Sequence, residues 1–140
     1  MKTIYKIALF IVLAIAIVGI GTAIYFFNMQ HRDLGKVKPD FTITAVDLQK
    51  AFEDNEAAAN TRYVNKVLEV SGVIASLKPG ENNSLSVFLK TGSDLSSVIC
   101  TFQQGTALSG FKPGDAITIR GSCSGYLTDV LLNDCALMGK

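Results

Sequence analysis

The spacing of hydrophobic and polar positions divides the chain into regions of different structure. From Ile7 to Phe27 there are 21 residues without a charge, and an α-helix of about that length covers roughly 30 Å, the thickness of the hydrocarbon core of a bilayer. Residues 28–43 are mostly polar, contain Gly35 and Pro39, and show no periodicity. The pattern therefore predicts a transmembrane anchor over residues 1–27 and a tether over residues 28–43.

Two competing interpretations of the first segment differ in where the mature chain begins. A signal peptide would be cleaved after Ala23, but the hydrophobic cores of signal peptides span only about 7–15 residues. The chain also stays apolar beyond that site, from Ile24 to Phe27. We therefore expect a retained, single-pass anchor.

The orientation of the anchor depends on two weak signals. Basic residues flank both ends, so positive-inside counting is close to a tie; they are Lys2, Lys6, Arg32, Lys36 and Lys38. The three cysteines of the distal region favour an oxidising compartment. We expect an inner-membrane protein whose C-terminal domain lies outside the cytoplasm.

An amphipathic helix is predicted to follow the tether. Thr44-Ala-Val-Asp47 matches a capping box with an acidic residue at its third helical position. The apolar stripe that follows has helical spacing, and it consists of Leu48, Ala51, Phe52, Ala59 and Tyr63. Gln49 falls on the polar side, and the helix is expected to end near Thr61.

After the helix the periodicity changes to two, which is typical of strands. Five strands are predicted, over residues 67–75, 85–90, 98–102, 117–123 and 130–137. Gly72 predicts a bulge or bend in the first strand, and the stretch between Gln103 and Phe111 can hold a short helix. This element order indicates a mainly β protein with a five-stranded OB-fold barrel over residues 44–140. SH3-type barrels are the alternative, but their strands are shorter and they usually lack a helix at that point.

Several stretches also carry a family resemblance. They are Asn55–Val73, Val98-Ile-Cys100-Thr-Phe102, Ile119-Arg-Gly121-Ser-Cys123 and Asp134-Cys135. Together they resemble the tRNA-anti-like OB-fold family of bacterial envelope proteins over about residues 44–138. The resemblance implies the OB-fold and an N-terminal anchor or lipid attachment, and it carries over no activity and no catalytic residues.

Charge and composition argue against catalysis and against nucleic acid. The formal charge of the whole chain is +1, and without residues 1–33 it becomes −1, which offers no electrostatic footprint for a phosphate backbone. The single histidine, His31, lies in the tether, where we expect it to be solvated. Carboxylates such as Glu53 and Glu56 lie on a charged helix face. We therefore predict no catalytic residues, no cofactor and no enzymatic activity.

The cysteines allow two pairings. Cys100, Cys123 and Cys135 come singly, without the short Cys-x₂₋₄-Cys spacing of zinc sites, so no metal site is expected. A regular hairpin would place Leu132 opposite Cys123 and Cys135 roughly 10 Å further along, beyond the ~7 Å Cα limit for a disulfide. However, Gly125 could let Cys123 fold back. We expect a Cys123–Cys135 disulfide with Cys100 as a core thiol, and the alternative is Cys100–Cys135.

Candidate ligand-binding residues lie at the rim of the predicted barrel. OB-folds bind single strands with a positive groove and stacked aromatic side chains, but the second and third predicted strands offer only Phe88 on their polar side. The candidate residues are Lys78, Asn82, Asn83, Phe88, Arg120 and Tyr126. Phe88 is alternatively expected to pack against the helix, at Leu48 and Phe52.

Two functions of different classes follow. The first is a membrane-tethered, extracytoplasmic interaction module that binds a protein or oligosaccharide partner through loops 77–84 and 122–129. The second is a binder of a small ligand or a single-stranded nucleic acid, which would use the face of the second and third predicted strands. Burial of the Phe88 face beneath the helix would weaken the second function, and an open face would support it.

Overall fold

The computed structural model describes residues 1–28, 33–103, 106 and 108–139, except for the side chains of residues 27 and 28. His31 lies outside these described residues. The chain divides into two compact units, Met1–Arg32 and Asp33–Lys140.

The first unit is a single long helix, α1 (Lys2–Asn28). Its segment Lys2–Phe26 is long and apolar enough to cross a membrane, a property that signal sequences near an N-terminus share. The Thr22 hydroxyl donates to the carbonyls of Val18 and Gly19, at 3.0 and 2.9 Å. This polar group is thus satisfied within the helix, as an apolar surrounding requires.

The second unit contains the strands and two further helices. Its elements are β1 (Phe41–Thr44), α2 (Ala45–Asp54), α3 (Glu56–Tyr63), β2 (Val67–Pro79), β3 (Leu85–Lys90), β4 (Ser97–Phe102), β5 (Ala116–Tyr126) and β6 (Val130–Gly139). Short 3₁₀ turns occur at Leu34–Lys36 and Glu81–Asn83.

Within the described residues, the strands form one six-stranded sheet in the order β1-β2-β3-β4-β6-β5. Pairing of β2 with β5 closes the last five of them into a barrel. The first half of β2 pairs with β5 and the second half with β3, while β4 and β6 run parallel. The mainly β OB-fold class with a preceding helix and an N-terminal apolar helix is therefore confirmed, and β2–β6 correspond to the five predicted strands.

The region predicted to be a tether contains more structure than its sequence pattern indicates. Leu34 is buried in the 3₁₀ turn, and β1 pairs in parallel with the start of β2, so that Ile43 lies opposite Val70. Two apolar residues, Phe41 and Ile43, suffice for this short strand because β2 supplies its hydrogen-bonding partner. Strand β1 is the extra strand outside the barrel.

The predicted helix begins as expected but is divided in two. The Thr44 hydroxyl accepts the N–H of Asp47 at 3.1 Å, which confirms the cap. Asn55 ends α2, and its side chain accepts the N–H of Ala58 at 3.0 Å to begin α3. Asparagine competes with helical backbone hydrogen bonds and favours caps. The predicted stripe is confirmed at four of its five positions, since Leu48, Phe52, Ala59 and Tyr63 are buried, and Ala51 is partly buried.

The structure differs from two predictions, a bulge or bend at Gly72 and a short helix between Gln103 and Phe111. A Cβ at Gly72 would lie 3.0 Å from the Cβ of Ala45, so Gly72 permits the close approach of α2. The irregularity of β2 falls slightly later, between Ile74 and Ser76. The described residues of the segment between Gln103 and Phe111 show a turn at residues 109–110 and no helix.

Candidate ligand-binding face

The interior of the barrel is packed with side chains, so a ligand can reach only its outside. On β3 and β4 every second residue is buried, including Val87, Leu89, Val98, Cys100 and Phe102, all of them fully inaccessible to solvent. The residues between them point outward. We call this surface, together with the outward Lys78 of β2, the β3–β4 face; its residues are Lys78, Ser86, Phe88, Lys90, Ile99 and Thr101.

Phe88 lies at the centre of the β3–β4 face. It is opposite Ser76 on one neighbouring strand and Ile99 on the other, and it is only partly buried. The Lys78 ammonium lies 4.9 Å from the centroid of its ring, a cation–π contact. Phe88 is not part of the buried cluster that holds the helix stripe. The alternative expectation, in which Phe88 packs beneath the helix, therefore does not describe the structure.

The loop between β2 and β3 places Asn82 and Asn83 at the same end of this hairpin. Both are exposed and adopt positive φ angles, 53° and 58°, which asparagine tolerates better than most residues. The N–H of Gly80 donates to the carbonyl of Ser84 at 2.9 Å and closes the loop. Two exposed amide side chains are thus held beside the Lys78 end of the face.

Arg120 occupies a different part of the barrel and is bound within the protein. Its guanidinium donates to Glu69 through Nε at 3.2 Å and also through Nη2. Its Nη1 donates to the carbonyls of Gly35 and Val37, at 3.2 and 2.6 Å. Only 13% of the Arg120 side chain is exposed. Its hydrogen bonds connect the barrel to the 3₁₀ turn at Leu34–Lys36.

Tyr126 likewise belongs to the packing between helix and barrel. Its ring stacks on Phe52 with centroids 5.3 Å apart and an interplanar angle of 21°. Tyr63 contacts Phe52 from another direction and packs edge-on against Phe41. Of the six candidate residues, Lys78, Asn82, Asn83 and Phe88 are therefore brought together along the β2–β3 hairpin, whereas Arg120 and Tyr126 are not.

Lys90 is a residue of this face that is not among the six candidate residues. It borders a cavity of about 610 Å³, whose lining also includes Val46, Val73 and Ile117. It also borders a second cavity of about 330 Å³ beside Asp94. Its outward position follows from the alternation of β3, which would have been sufficient to identify it.

The three cysteines are free, buried thiols, and the expected Cys123–Cys135 disulfide is not present. The thiol of Cys135 donates a hydrogen bond to the carbonyl of Leu132, at 3.4 Å. Cys123 is aligned with Leu132, three residues away from Cys135. The strand register therefore keeps Cys123 from its expected partner, as in a regular hairpin.

Burial keeps two of these thiols neutral. It raises the pKa of Cys135 well above its usual value, and the adjacent Cys100 raises it further. Burial also raises the pKa of Cys123, with a hydrogen bond to the Gly125 backbone opposing the change. Neutral thiols are poor nucleophiles and poor metal ligands. Among the described residues, no group of three or more His, Cys, Asp or Glu could hold a metal ion.

Comparisons with known proteins agree with this architecture. A family model described as tRNA_anti-like matches residues 1–136. Among solved structures, a candidate nucleic acid-binding lipoprotein from Klebsiella pneumoniae is similar, with a TM-score of 0.52 and 22% sequence identity. The match covers 69% of this chain and 91% of that one. No curated protein sequence matches the chain significantly.

Proposed function

Since the chain belongs to the tRNA_anti-like family, we propose that it is a membrane-anchored, extracytoplasmic binding module without catalytic activity. Its β2–β3 loop, within the predicted binding loop 77–84, and the adjoining β3–β4 face bind a protein or oligosaccharide partner of the cell envelope. The face that the sequence analysis gives to a small ligand or nucleic acid is thus assigned to this partner. The observation that carries the proposal is the position of Phe88. The ring is only partly buried, on the outside of a barrel whose described interior side chains on β3 and β4 are closed to solvent.

The chemistry of this face suits a polar partner with an apolar contact point. Phe88 and Ile99 supply an apolar centre, and the hydroxyls of Ser86 and Thr101 lie beside it on the same outward side. Asn82 and Asn83 add amide donors and acceptors at one end. A few polar groups placed around an apolar centre are the usual composition of a binding surface.

A binding role is preferred to a catalytic one because the candidate nucleophiles are inactivated by burial. The pKa values of Cys123 and Cys135 are raised, so neither forms a thiolate readily. The candidate ligand-binding residues Lys78, Asn82, Asn83 and Phe88 include no histidine and no carboxylate that could serve as a general base.

Location in the envelope is supported by the apolar α1 and by the similar Klebsiella pneumoniae protein, which is named a lipoprotein. Mass spectrometry of the mature full-length protein tests retention of the anchor. We expect an N-terminus upstream of α1, and an N-terminus at Ile24 would contradict retention. Digestion by protease added outside the inner membrane tests the orientation, and a fully protected domain would contradict it.

The partner is sought by affinity capture from detergent-solubilised membranes, with the full chain as bait. Phe88→Ser should abolish capture of the specific partner. Leu127→Ser is the comparison variant, because Leu127 is an exposed apolar residue (82% exposed) outside the β3–β4 face, in the predicted binding loop 122–129. Loss of capture for Leu127→Ser alone would move the binding surface to that loop. If Phe88→Ser captures the same proteins or glycans as the unaltered chain, the proposed surface is wrong.

A single-stranded nucleic acid is the second candidate ligand. The partly buried, outward-facing Phe88 between Lys78 and Lys90 favours it, as does the name of the Klebsiella pneumoniae protein. Against it stand the net charge of −1 without residues 1–33 and the presence of one aromatic residue on the face, where stacking usually uses several. We expect no salt-sensitive affinity of residues 33–140 for single-stranded DNA or RNA. Micromolar binding that weakens steeply with added salt would favour this second function instead.

A further inference from the structure

The larger of the two cavities beside Lys90 opens where β2 passes from one neighbouring strand to the next. Strand β1 ends opposite Ser71 and β3 ends opposite Ile74, so neither of them pairs with Gly72 or Val73. The cavity of about 610 Å³ lies beside these two residues. Cavities of roughly 300–1,000 Å³ are typical of small-molecule sites. None of the four candidate residues along the β2–β3 hairpin lines it, so it is a separate site.

The lining of this cavity is mainly apolar and partly exposed to water. Val46 of α2 is 47% exposed and Val73 of β2 is 37% exposed. Ala116 and Ile117 of β5 continue the apolar surface. The polar side chains other than that of Lys90 carry hydroxyls, and they are Thr44, Ser71 and Thr118. A hydrocarbon chain that covered Val46 and Val73 would remove their remaining apolar area from water, which favours binding.

Lys90 supplies the charge of the cavity. Among the described residues that line it, Lys90 alone is charged. Lys90 is exposed, and within the described part of the chain its ammonium forms no ion pair and no hydrogen bond. Asp94 borders the smaller cavity together with Lys90 but is not paired with it. The carboxylates of Asp47 and Asp115 follow and precede lining residues in sequence but are not part of the lining. The ammonium of Lys90 is thus available to an anionic group.

We propose that this cavity binds a fatty acid, with the hydrocarbon chain against Val46, Val73 and Ile117 and the carboxylate on the Lys90 ammonium. An apolar cavity with one cation is complementary to an apolar molecule with one anionic group. A single lysine balances the single negative charge of a carboxylate, whereas a phosphate monoester carries about −1.5 to −2 charges. The site does not depend on the envelope partner, although Lys90 borders both surfaces.

The test uses the full chain in nanodiscs of phosphatidylcholine, because a detergent would compete for an apolar cavity. The probe is palmitate with a photoreactive diazirine in its chain. After irradiation, peptide mapping by mass spectrometry should find labels on residues 44–46, 71–73 and 116–118. Labels on α1 are expected from the bilayer and serve as the reference for the amount of probe in each sample. Labelling of α1 without labelling of the cavity residues would contradict the proposal.

The methyl ester of the same probe and a substitution of Lys90 test recognition of the carboxylate. Relative to α1, the ester should label the cavity residues roughly two- to fivefold less, the range for loss of one partly exposed charge pair. Lys90→Gln should reduce labelling by the acid to the same extent. Lys66→Gln is the matched control, because Lys66 is exposed and lies outside the cavity. Equal labelling by acid and ester, or an undiminished signal for Lys90→Gln, would overturn the carboxylate site.

Val46→Asp tests the apolar part of the cavity. Val46 lies in the first turn of α2, where an acidic side chain favours the helix, so the fold should be retained while labelling of the cavity is lost. Val37→Asp is the matched control, since Val37 is also partly exposed (37%) but does not line the cavity. If Val46→Asp were labelled as strongly as Val37→Asp, the hydrocarbon chain would not occupy this cavity.

Competition distinguishes a fatty acid from an amphiphile with a phosphate group. Unlabelled dodecanoate should displace the probe from the cavity residues at a lower concentration than dodecyl phosphate does. Stronger competition by dodecyl phosphate would assign the cavity to a phosphate amphiphile and contradict the proposed fatty acid. Capture of the envelope partner is measured separately with Phe88→Ser, so failure of either proposal leaves the other standing.

Discussion

Two aromatic regions of the barrel contain the same kinds of side chain in opposite environments. Between helix and barrel, Phe52 lies among Tyr63 and Tyr126 and is almost completely buried. On the β3–β4 face, Phe88 has no aromatic neighbour among the described residues and is only partly buried, with the Lys78 ammonium over its ring. An aromatic ring with aromatic neighbours stabilises the fold by removing apolar area from water. A ring without aromatic neighbours leaves part of its apolar area in contact with water.

Each of the two aromatic regions has a basic side chain over its rings. Matched substitutions of these two side chains can therefore test the comparison. The Arg62 guanidinium lies 5.3 Å from the ring centroids of both Phe41 and Tyr63, and Lys78 lies 4.9 Å from that of Phe88. If the two regions serve different purposes, changes in the first should alter the free energy of unfolding and changes in the second should alter binding.

The largest expected effect is that of Phe52→Ala. Removing a buried aromatic side chain leaves a cavity, so we expect the free energy of unfolding of residues 33–140 to fall by about 3–5 kcal/mol. Urea denaturation measures it. Phe88→Ala is the matched change in the other region and should cost less than about 1 kcal/mol. Equal losses at the two positions would show that the two regions do not differ in this way.

Gly121→Ala should have the next largest effect. The added Cβ would meet the sulfur of Cys135 at 2.8 Å and the Cβ of Leu132 at 3.2 Å, which overpacks the barrel interior. We expect a loss of about 1–3 kcal/mol, measured by urea denaturation under reducing conditions. Gly139→Ala, where an added Cβ meets no atom within 4 Å, is the control and should be nearly neutral. A neutral Gly121→Ala would contradict the described packing of Cys135.

Arg120→Ala should cost about 1–2 kcal/mol, because it leaves Glu69 and two backbone carbonyls without their donor. Limited proteolysis should then cut the chain between residues 33 and 40 faster. Lys36→Ala is the control, since its ion pair with Asp33 is mostly exposed and such pairs contribute little. If Arg120→Ala changed neither stability nor proteolysis but reduced partner capture, Arg120 would belong to the binding surface.

The smallest effect on stability is expected for Lys78→Ala, within about 0.5 kcal/mol. Its effect should instead be seen in capture of the envelope partner, which we expect to fall. Arg62→Ala removes the corresponding cation of the aromatic region between helix and barrel, and it should leave capture unchanged. A loss of capture for Arg62→Ala alone would transfer the binding surface to that region.

Much of the fold could be predicted because its signals are local. The apolar length of α1, the Thr44 cap and the alternation along β3 and β4 each depend on residues close together in the chain. The same alternation indicates that Phe88 and Lys90 point outward. Phe88 was correctly assigned to the polar side of the predicted strands, but whether the helix covered it could not be decided from spacing.

Other features depended on residues that are distant in sequence. Gln49 was expected on the polar side of its helix, yet it is buried, and its side-chain amide donates to Glu53 and to the carbonyl of Thr128, at 2.9 and 3.0 Å. Arg120 was expected at a binding rim, but Glu69 and the turn at Gly35 bind it instead. The environment of each side chain depends on a hydrogen-bonding partner from a distant part of the sequence, Thr128 for Gln49, and Glu69 and Gly35 for Arg120.

The sequence by itself determined the apolar helix, the capped amphipathic helix and the order of strands in an OB barrel, because periodicity and capping are properties of neighbouring residues. Only the tertiary structure decided on which side of β6 the Cys135 thiol lies and which outward residues stay uncovered. A single additional residue at Asp134 reverses the side on which Cys135 lies. The register that makes Gly121 its neighbour exists only once β5 and β6 have paired.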